Sequence, residues 1–478
     1  MLQRNLLRRR TKIVCTLGPA TESSSLIERL IRSGMNVARL NLSHGTPDSH
    51  SKASREVRRI SERLGVEVAI LVDLPGPKYR TGKLKGGKAI LNKGAMVALT
   101  VRAVEGDETL VPVNLPSLPQ DVKAGDTVLL DDGAMQLKVI EKTATEVKCR
   151  VIVGGTLTER RGLVVPGMPT SGPFVTNALR EDLLFSVEQR PDYLALSFVS
   201  SAEDVSLVKE LLREQGSAIP VISKIERVQA VRDFDHILSA SDGIMVARGD
   251  LGVDIPLEKV PLVQKEIIRK CNRAGKPVIT ATQMLESMVD AARPTRAEVT
   301  DVANAIFDGS DAVMLSAETS VGSYPIAAVK TMASIALETE RKLPYDLMLA
   351  ERGSWIERET DELISYNACY TAAALRAKAI VAFTQSGSTA RRVSKYRPRV
   401  PVLAITPDQT VCGKLVLRWG VYPVHVTEVP PTVDGMFSTA AEHVRRLGLA
   451  RQGDLIVITG GVPVGTAGAT NLLKVEEI

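Results

Sequence analysis

Two short apolar segments of the chain end in charged residues that could do chemistry together. The residues are Lys224 and Glu226 at the end of Pro220–Ile225, and Arg248, Gly249 and Asp250 after Asp242–Ala247. Charged side chains are rarely buried unless they are paired or bind a metal. Carboxylates at the ends of neighbouring strands can hold a hard divalent cation, and a lysine between them can neutralise a phosphate. A pair of surface salt bridges is the alternative, and for any single site it is the commoner arrangement.

The composition is that of a globular protein with several domains. The 478 residues are enough for two to four domains, and 44% hydrophobic with 24% charged residues is ordinary for such proteins. Only 4% of the residues are aromatic, which argues against a surface on which nucleic-acid bases stack. A solvated surface explains the net charge of +6. No run approaches eighteen apolar residues, so we expect no membrane span. Five scattered cysteines without CxxC spacing indicate reduced thiols in a cytoplasmic protein.

Strands and helices alternate along most of the chain, as they do in a parallel sheet built from βα units. Three strands are predicted before residue 74 and five after residue 169, and both this total and the chain length match a (β/α)8 TIM barrel of about 250 residues. The predicted strands are Lys12–Leu17, Asn36–Asn41, Val68–Asp73, Asp192–Phe198, Pro220–Ile225, Asp242–Ala247, Pro277–Thr282 and Asp311–Ser316. The first helix is predicted over Glu22–Ser33, with Thr21 as its N-cap.

Two further domains are predicted around this barrel. Between Leu74 and Met168, short β-rich runs alternate with Gly, Pro and Asp and no long helix is indicated, which predicts an inserted small β-barrel. A second alternation of strands and helices follows residue 343 and predicts a C-terminal α/β domain with a mostly parallel sheet. The predicted domains are a catalytic barrel over 1–73 and 170–343, an inserted all-β domain over 74–169, and a C-terminal domain over 344–478.

Polar residues cluster where the predicted barrel strands end, and the chemistry of such barrels lies at these C-terminal ends. They are Arg39, Asn41, Ser43 and His44 after strand two, Asp73 after strand three, Lys224 and Glu226 after strand five, Gly249 and Asp250 after strand six, Thr282 after strand seven, and Ser316 and Glu318 after strand eight. Each alone could be an ordinary loop residue. Together they suit a phosphorylated carboxylic acid held through a divalent metal.

The insertion leaves the barrel after strand three and is therefore expected to lie over the same rim. A lid at this place would exclude water from a reactive phosphoryl group. The alternative is a domain that has no role in the reaction. The position of the insertion favours the lid.

Long motifs along nearly the whole chain resemble the pyruvate kinase family. They are IVCTLGPAT, GMNVARLNLSHG, the KIE of Lys224–Glu226, MVARGDLG, ATQMLESM, RPTRAEVTDVANAIFDGSDAVMLSAET and GSYP. The resemblance implies transfer of the phosphoryl group of phosphoenolpyruvate to ADP, which gives pyruvate and ATP. It also implies a barrel with a lid after strand three, a regulatory C-terminal domain, allosteric control and a homotetramer.

By motif, the resemblance implies a role for each rim residue. Glu226 and Asp250 would bind Mg2+ or Mn2+, and Lys224 would stabilise the phosphoryl group during transfer. Arg39 would hold the phosphate, and the backbone around Gly249 together with Thr282 would hold the carboxylate. Thr282 would also lie on the proton path, where a water relay suits a hydroxyl that is a poor acid. The nucleotide-side residues would be Asn41, Ser43, His44, Arg80 and Arg161, the last standing where members commonly have lysine.

One departure from the family concerns a monovalent cation. Many members need K+, and the resemblance places its ligands at Asn41, Ser43, Asp73 and Leu74. Those members carry a glutamate where this chain has Lys78. An ammonium group is itself a fixed positive charge, so we predict that Lys78 replaces K+ and that K+ is not required.

A second departure concerns regulation. A strand is followed by a loop that opens a helix and resembles the effector phosphate loop of the family; its residues are Thr384, Ser386, Gly387, Ser388 and Thr389. It lacks the basic residue of members that respond to fructose bisphosphate, so a sugar monophosphate or a nucleotide is the predicted effector. A Ser/Gly turn with a helix cap would look the same, and Gly460–Thr470 is a second glycine-rich loop.

Two rival functions remain at the level of sequence. Another barrel enzyme acting on phosphoenolpyruvate, such as a C–C lyase or mutase, would share the metal and the carboxylate pair but has no need of Arg80 or a lid. A non-catalytic relative that binds metabolites is the other, and intact Lys224, Glu226, Asp250 and Thr282 argue against it.

Overall fold

Eight parallel strands close into a barrel, and every strand pairs with its neighbours in the sequence while the last pairs with the first. The computed structural model describes residues 6–76, 79–168, 173–428, 430–463 and 469–478. The barrel strands are Lys12–Thr16, Val37–Asn41, Ala69–Leu74, Tyr193–Leu196, Val221–Ile225, Gly243–Ala247, Val278–Ala281 and Ala312–Leu315. Every observed bound lies within two residues of the predicted one. The predicted (β/α)8 barrel is confirmed.

The helices of the barrel cover its outer surface because their apolar stripes face the strands. They are Ser24–Ser33, Pro47–Leu64, Asn177–Gln189, Ala202–Glu214, Phe234–Ala240, Val260–Arg273, Arg296–Asp308 and Pro325–Lys342. Three shorter helices, Val228–Arg232, Arg248–Asp254 and Ala317–Ser320, lie in the loops that follow the fifth, sixth and eighth strands. Short 3-10 turns lie at Pro19–Thr21, Leu257–Lys259 and Glu286–Val289. The predicted N-cap Thr21 is wrong: Ser23 accepts the hydrogen bond from the Leu26 amide, and Thr21 is buried at the end of a 3-10 turn.

The insertion forms a six-stranded mixed sheet and a two-stranded sheet, with a separate apolar core. Its strands are Lys88–Leu91, Met96–Thr100, Leu110–Pro112, Thr127–Leu130, Met135–Lys142, Glu146–Val153, Gly155–Thr158 and Leu163–Val164. A 3-10 turn at Lys85–Gly87 and the four-residue helix Leu118–Asp121 are the helical elements among residues 79–168. The predicted all-β character of this region is confirmed.

The C-terminal domain has a five-stranded sheet with helices on both faces. Its strands are Ile380–Phe383, Val402–Thr406, Val421–His425, Leu455–Gly460 and Leu472–Glu477, and its helices are Tyr345–Gly353, Thr360–Ala374, Ser388–Lys395, Gln409–Val416 and Val433–Arg446. Four strands are parallel, and the fifth pairs antiparallel at the edge. The predicted C-terminal α/β domain is confirmed, although its last strand was not predicted.

The C-terminal domain packs against the end of the barrel at which the strands begin. Val416 and Leu417 join the apolar residues that fill this end. Asp311, immediately before the eighth strand, receives two hydrogen bonds from the Arg397 guanidinium, at 2.6 and 2.9 Å. These contacts leave the opposite end, where the strands finish, open for a site.

Two further findings concern membrane-spanning helices and the cysteines. The described residues contain no helix that is both long and apolar enough to cross a membrane. All five cysteines lie in the described part of the chain, where each is buried and none forms a disulfide.

Candidate active site

An arginine and an aspartate on adjacent strands form the first part of the site. Arg39 lies on the second strand, and its Nε and Nη2 atoms lie 2.8 and 2.7 Å from Oδ2 of Asp73 on the third. Its Nη1 atom donates a 2.9 Å hydrogen bond to Oγ1 of Thr16, the last residue of the first strand. Both charged side chains are buried, so the guanidinium is held in one orientation by three bonds.

Lys224 stands at the centre of the cluster, on the fifth strand. Its ammonium lies 2.8 Å from Oγ of Ser197, 2.9 Å from Oε1 of Glu226 and 3.4 Å from Oδ1 of Asp73. Burial alone would lower the pKa of Lys224, but the charges of Asp73 and Glu226 outweigh it and raise the pKa. The lysine therefore carries its positive charge at neutral pH, in a position where only 8% of its surface is exposed.

Asp73 joins the arginine to the lysine. Burial would raise the pKa of its carboxyl, but the charges of Lys224 and Arg39 outweigh this effect and lower it. The Ser197 hydroxyl lies 3.3 Å from Oδ1 of the same carboxylate. The result is a network in which one carboxylate orients two cations at the mouth of the barrel.

Glu226 has the features of a metal ligand. Its Oε2 atom accepts a 2.6 Å hydrogen bond from the Phe198 amide, whereas Oε1 is buried and, despite its ion pair with Lys224, accepts no aligned hydrogen bond from a described residue. Burial raises the pKa of Glu226, and the nearby charge of Asp250 raises it further. A divalent cation between the two carboxylates would supply the missing partner and remove their repulsion.

The donor set of this pair is all oxygen, which suits Mg2+ or Mn2+. Among the described residues there is no group of three or more His, Cys, Asp or Glu side chains placed to share a metal. Mg2+ commonly binds one or two protein carboxylates and takes its other ligands from water and substrate phosphates. Glu226 and Asp250 therefore fit such an ion.

A short helix carries the sixth-strand residues. The sequence did not predict the helix Arg248–Asp254, which begins directly after the strand and places Gly249 and Asp250 in its first turn. The Arg248 guanidinium is fixed by the carbonyl oxygen of Thr282, at 2.8 Å, and by Asp301, at 2.7 Å. The bond to Thr282 thus joins the end of the sixth strand to the end of the seventh.

Thr282 follows the seventh strand in a left-handed backbone conformation, with φ of 66°. Such a value is an outlier for a β-branched residue and marks a position that its surroundings hold under strain. Its Oγ1 atom accepts a 2.7 Å hydrogen bond from the Gly249 amide and donates a 2.6 Å bond to the Ala281 carbonyl. The Thr282 hydroxyl is therefore hydrogen-bonded to the N-terminus of the helix Arg248–Asp254 at the rim.

The predicted nucleotide-side residues fall into two groups. Asn41 ends the second strand and its Oδ1 atom accepts the Ser43 amide at 3.2 Å, in an exposed loop that also carries His44. Arg80 and Arg161 lie in the inserted domain, on two segments joined by an antiparallel bridge between Arg80 and Gly162. The structure thus brings together the members of each group, one on the barrel and one on the insertion.

The structure describes all four residues of the predicted monovalent-cation set, which are Asn41, Ser43, Asp73 and Leu74. Asn41 and Asp73 are register partners on adjacent strands, and the Asp73 carbonyl accepts a 3.0 Å hydrogen bond from the Leu42 amide. Leu74 ends the third strand and is buried. Lys78 lies outside the described residues.

Several residues of the site were missed by the sequence reasoning. Thr16 ends the first strand and Ser197 directly follows the fourth. The rule that found the other rim residues would therefore have found both, had it been applied to these two strands. Glu318, in contrast, accepts the backbone amides of Leu285 and Ser316, at 3.1 and 2.6 Å, and so fixes a loop.

The inserted domain is joined to the rim by buried contacts. The Arg227 guanidinium lies over the rings of Tyr79 and Phe198, 5.8 and 5.2 Å from their centres. The Asp254 carboxylate accepts the amides of Gly167 and Val228, at 3.0 and 2.6 Å. These contacts hold both connections of the insertion against the loops that follow the fifth and sixth strands.

The predicted effector loop lies at the other end of the molecule. Gly387, with φ of 83°, precedes the helix Ser388–Lys395, and the buried Oγ1 atom of Thr384 has no hydrogen-bond partner within the described part of the chain. The hydroxyls of Thr389 and Thr470 lie 2.8 Å apart, which joins this loop to the second glycine-rich loop. Ser386 and Ser388 complete the loop, and residues 464–468 of the second loop lie outside the described part of the chain.

The fold and the site together define a class: a (β/α)8 phosphotransferase with an inserted lid-like domain and a C-terminal α/β domain. The family described as "Pyruvate kinase, barrel domain" matches residues 8–329, and "Pyruvate kinase, alpha/beta domain" matches residues 362–476. The chain belongs to the pyruvate kinase family.

Individual relatives agree over nearly the full length. The pyruvate kinase of Geobacillus stearothermophilus is 47% identical over 475 residues, which cover 99% of this chain and 81% of the relative. That of Staphylococcus haemolyticus is 46% identical over 471 residues, 98% of this chain and 80% of the relative. A crystal structure of a pyruvate kinase from Cryptosporidium parvum superposes with a TM-score of 0.93 at 37% identity and covers 99% of this chain and 97% of that one.

Proposed function

We propose that this enzyme transfers the phosphoryl group of phosphoenolpyruvate to ADP and releases pyruvate and ATP. The observation that carries the proposal is the Lys224 ammonium held between Ser197, Glu226 and Asp73 at the rim of the barrel. A buried, charged lysine next to carboxylates that fit a divalent cation can neutralise a phosphoryl group as it moves.

Glu226 and Asp250 would hold Mg2+ or Mn2+, which supplies charge neutralisation for the substrate oxygens when bound. Arg39, fixed by Asp73 and Thr16, presents a guanidinium that can bind a phosphate oxygen in a fixed geometry. Because these groups are held before substrate arrives, they need little reorganisation during transfer.

The carboxylate of the substrate would lie between the Gly249 amide and the Thr282 hydroxyl. These two groups bond to each other at 2.7 Å here, so substrate would replace that bond. After transfer, the enolate needs a proton, and Thr282 would position a water that delivers it. Asn41, Ser43 and His44 on the barrel, with Arg80 and Arg161 on the insertion, would face the nucleotide, and the insertion would act as a lid.

The reaction is tested with a coupled assay that requires ADP. Pyruvate formation that depends on ADP supports the proposal, whereas ADP-independent consumption of phosphoenolpyruvate would indicate a lyase or mutase. Lys224→Ala should abolish turnover and retain Mn2+ binding, with exposed Lys342→Ala as the matched control. Full turnover of Lys224→Ala would refute the assigned role.

A fixed ammonium at position 78 would make K+ unnecessary. The proposal rests on the sequence alone, where lysine stands in place of the glutamate of K+-dependent members. Wild-type enzyme should keep its turnover in K+-free buffer, and Lys78→Glu should become dependent on K+. Loss of nearly all wild-type turnover without K+ would refute this assignment.

The C-terminal domain would be regulatory, with an effector phosphate bound by the loop Thr384–Thr389. The Thr384 hydroxyl supports this site, because it is buried just before the loop that opens a helix and has no partner among the residues that the structure describes. Initial rates with a panel of phosphorylated metabolites should show activation by a sugar monophosphate or a nucleotide; strongest activation by a bisphosphate would contradict the preference.

Three further parts of the proposal follow the family. The enzyme would be a cytoplasmic homotetramer, and its domains would divide at 1–73 and 170–343, 74–169, and 344–478. Sedimentation at micromolar concentration tests the tetramer, and limited proteolysis tests the boundaries.

A further inference from the structure

A cavity lies between the start of the barrel strands and the C-terminal domain, far from the rim that carries Lys224. Its volume is about 300 Å³, at the lower end of the range of small-molecule sites. Six basic and two acidic side chains line it: Lys276, Arg391, Arg392, Lys395, Lys414 and Arg418, with Asp242 and Glu362. We call it the interdomain cavity.

The acidic groups of the interdomain cavity are already engaged. Glu362 receives a 2.8 Å hydrogen bond from Lys395, and Asp242 lies 2.8 Å from Lys209, which is outside the cavity. Asp361, also outside it, pairs with Arg392 at 2.5 Å. The lining therefore keeps an excess of positive charge after these ion pairs are counted.

Two guanidinium groups of the lining have nitrogen atoms without a hydrogen-bond partner among the described residues. Arg418 is only 7% exposed, and its buried Nε atom has no hydrogen bond although Nη1 bonds to the Gly275 carbonyl. The buried Nη1 atom of Arg392 is likewise unpartnered. A buried donor without a partner costs free energy that a bound acceptor would recover.

The charges of the lining also repel one another. Burial, with a further contribution from the charge of Arg391, lowers the pKa of Arg418 to about 10. Burial lowers the pKa of Lys276 as well, and the charge of Arg418 adds to this effect. An anion in the cavity would relieve both effects, since it stabilises the charged forms.

We propose that the interdomain cavity is a binding site for a phosphate group, either free phosphate or a small phosphate monoester. Guanidinium forks match the oxygen geometry of phosphate, and the small volume excludes a large ligand. The interdomain cavity adjoins the proposed effector loop and shares one residue with it, Ser386, whereas its basic side chains lie outside that loop. A phosphate here would contact Lys276 of the barrel and Arg418 of the C-terminal domain at once, and so would hold the two domains together.

The position of the anion is tested by soaking crystals of the full-length enzyme in tungstate, a tetrahedral oxyanion with a strong anomalous signal. We expect a peak between Arg391 and Arg418. Peaks confined to the rim of the barrel or to the effector loop would overturn the proposal.

Binding in solution is tested by the rise of Tm with inorganic phosphate. Arg391→Gln, at the exposed mouth of the cavity, should weaken phosphate binding about tenfold, as expected for one charge-assisted hydrogen bond. Lys414→Gln should weaken it too. Exposed Arg451→Gln should bind like wild type. The effector-loop variant Thr384→Val should keep the part of the response that Arg391→Gln removes.

A response that Arg391→Gln leaves unchanged, or that Thr384→Val removes, would overturn the proposal. Glycerol 3-phosphate serves as the second probe and identifies the source of the phosphate group. Competition between the two probes supports a monoester site, and binding of inorganic phosphate alone supports free phosphate as the ligand.

Discussion

At the scale of single residues, the site depends on groups that hold the reactive side chains in place. Lys224 is the charge that would face the phosphoryl group, but its position is set by three partners on three strands. Ser197 is the neutral one, and it contacts both Lys224 and Asp73. Removing it would leave the charges intact while loosening their geometry.

Ser197→Ala should therefore lower kcat by roughly tenfold to a hundredfold, as expected for the loss of a hydrogen bond to a charged group worth about 1.5–3 kcal/mol. KM for phosphoenolpyruvate should change less, because Arg39 remains in place. Steady-state kinetics measure both constants, and Ser206→Ala, an exposed helix serine, is the control. Equal kinetics for the two variants would show that Ser197 does not position the lysine.

Thr282 supplies a hydroxyl from a strained backbone. Thr282→Ser keeps the hydroxyl and should retain most of the turnover, whereas Thr282→Val keeps the shape but leaves the Gly249 amide without its acceptor. We expect Thr282→Val to lose at least tenfold in kcat. Stopped-flow detection of proton uptake would show whether the loss lies in the protonation of the enolate; a fully active Thr282→Val would exclude the hydroxyl from the mechanism.

At the scale of elements, the strand ends were predictable because buried parallel strands are apolar and their polar ends stand out. Arg39, Asp73, Lys224 and Glu226 come together for this reason. The helix Arg248–Asp254 was not predicted, because its two glycines and two aspartates are poor helix formers and its position depends on the tertiary contacts of Arg248. The final strand was missed since its partly exposed edge position permits charged residues.

Contacts made by the loops between elements hold the base of the inserted domain in place. Asp254 ends the sixth-strand helix and accepts one amide from the insertion, Gly167, and one from the barrel, Val228. Neither contact could be read from the sequence, because both acceptors and donors are distant in the chain. The carboxylate therefore acts as a clasp at the base of the proposed lid.

Asp254→Ala should release this clasp and increase hydrogen exchange in the inserted strands. Turnover should fall several-fold, because a loosely held lid excludes water less well, while Mn2+ binding should be unchanged. Hydrogen exchange with mass spectrometry and initial rates measure the two effects, with exposed Glu258→Ala on the same segment as control. Unchanged exchange in Asp254→Ala would contradict the role of the clasp.

At the scale of the whole molecule, the two ends of the barrel have different tasks. The strand ends carry the proposed active site, and the strand starts are closed by Val416 and Leu417 of the C-terminal domain. Asp311 lies at this closed end, and the strand after it leads to the Ser316 loop at the open end. The eighth strand therefore joins the end of the barrel that contacts the C-terminal domain to the rim.

The ion pair of Asp311 with Arg397 is the strongest candidate for holding the domains in register. Both side chains are at least 96% buried, and the pair is bidentate. Burial alone would raise the pKa of Asp311, but the charge and hydrogen bonds of Arg397 outweigh it and lower the pKa. The pair therefore contributes stability above the unfolded-state pKa of about 3.9, and this contribution is lost as the pH falls through the lowered pKa of the folded state.

Asp311→Asn should destabilise the protein by about 3–5 kcal/mol at neutral pH, because it leaves the Arg397 charge buried without its partner. Protonation of Asp311 destabilises the wild type at low pH, and the variant has no such group to protonate. The difference in Tm between the two should therefore shrink as the pH falls below about 4. Exposed Asp346→Asn should match wild type throughout. A constant difference in Tm from pH 7 to pH 3 would mean that the carboxylate acts through shape and not through its charge, and the proposed register between the domains would then have to rest on the apolar contacts of Val416 and Leu417.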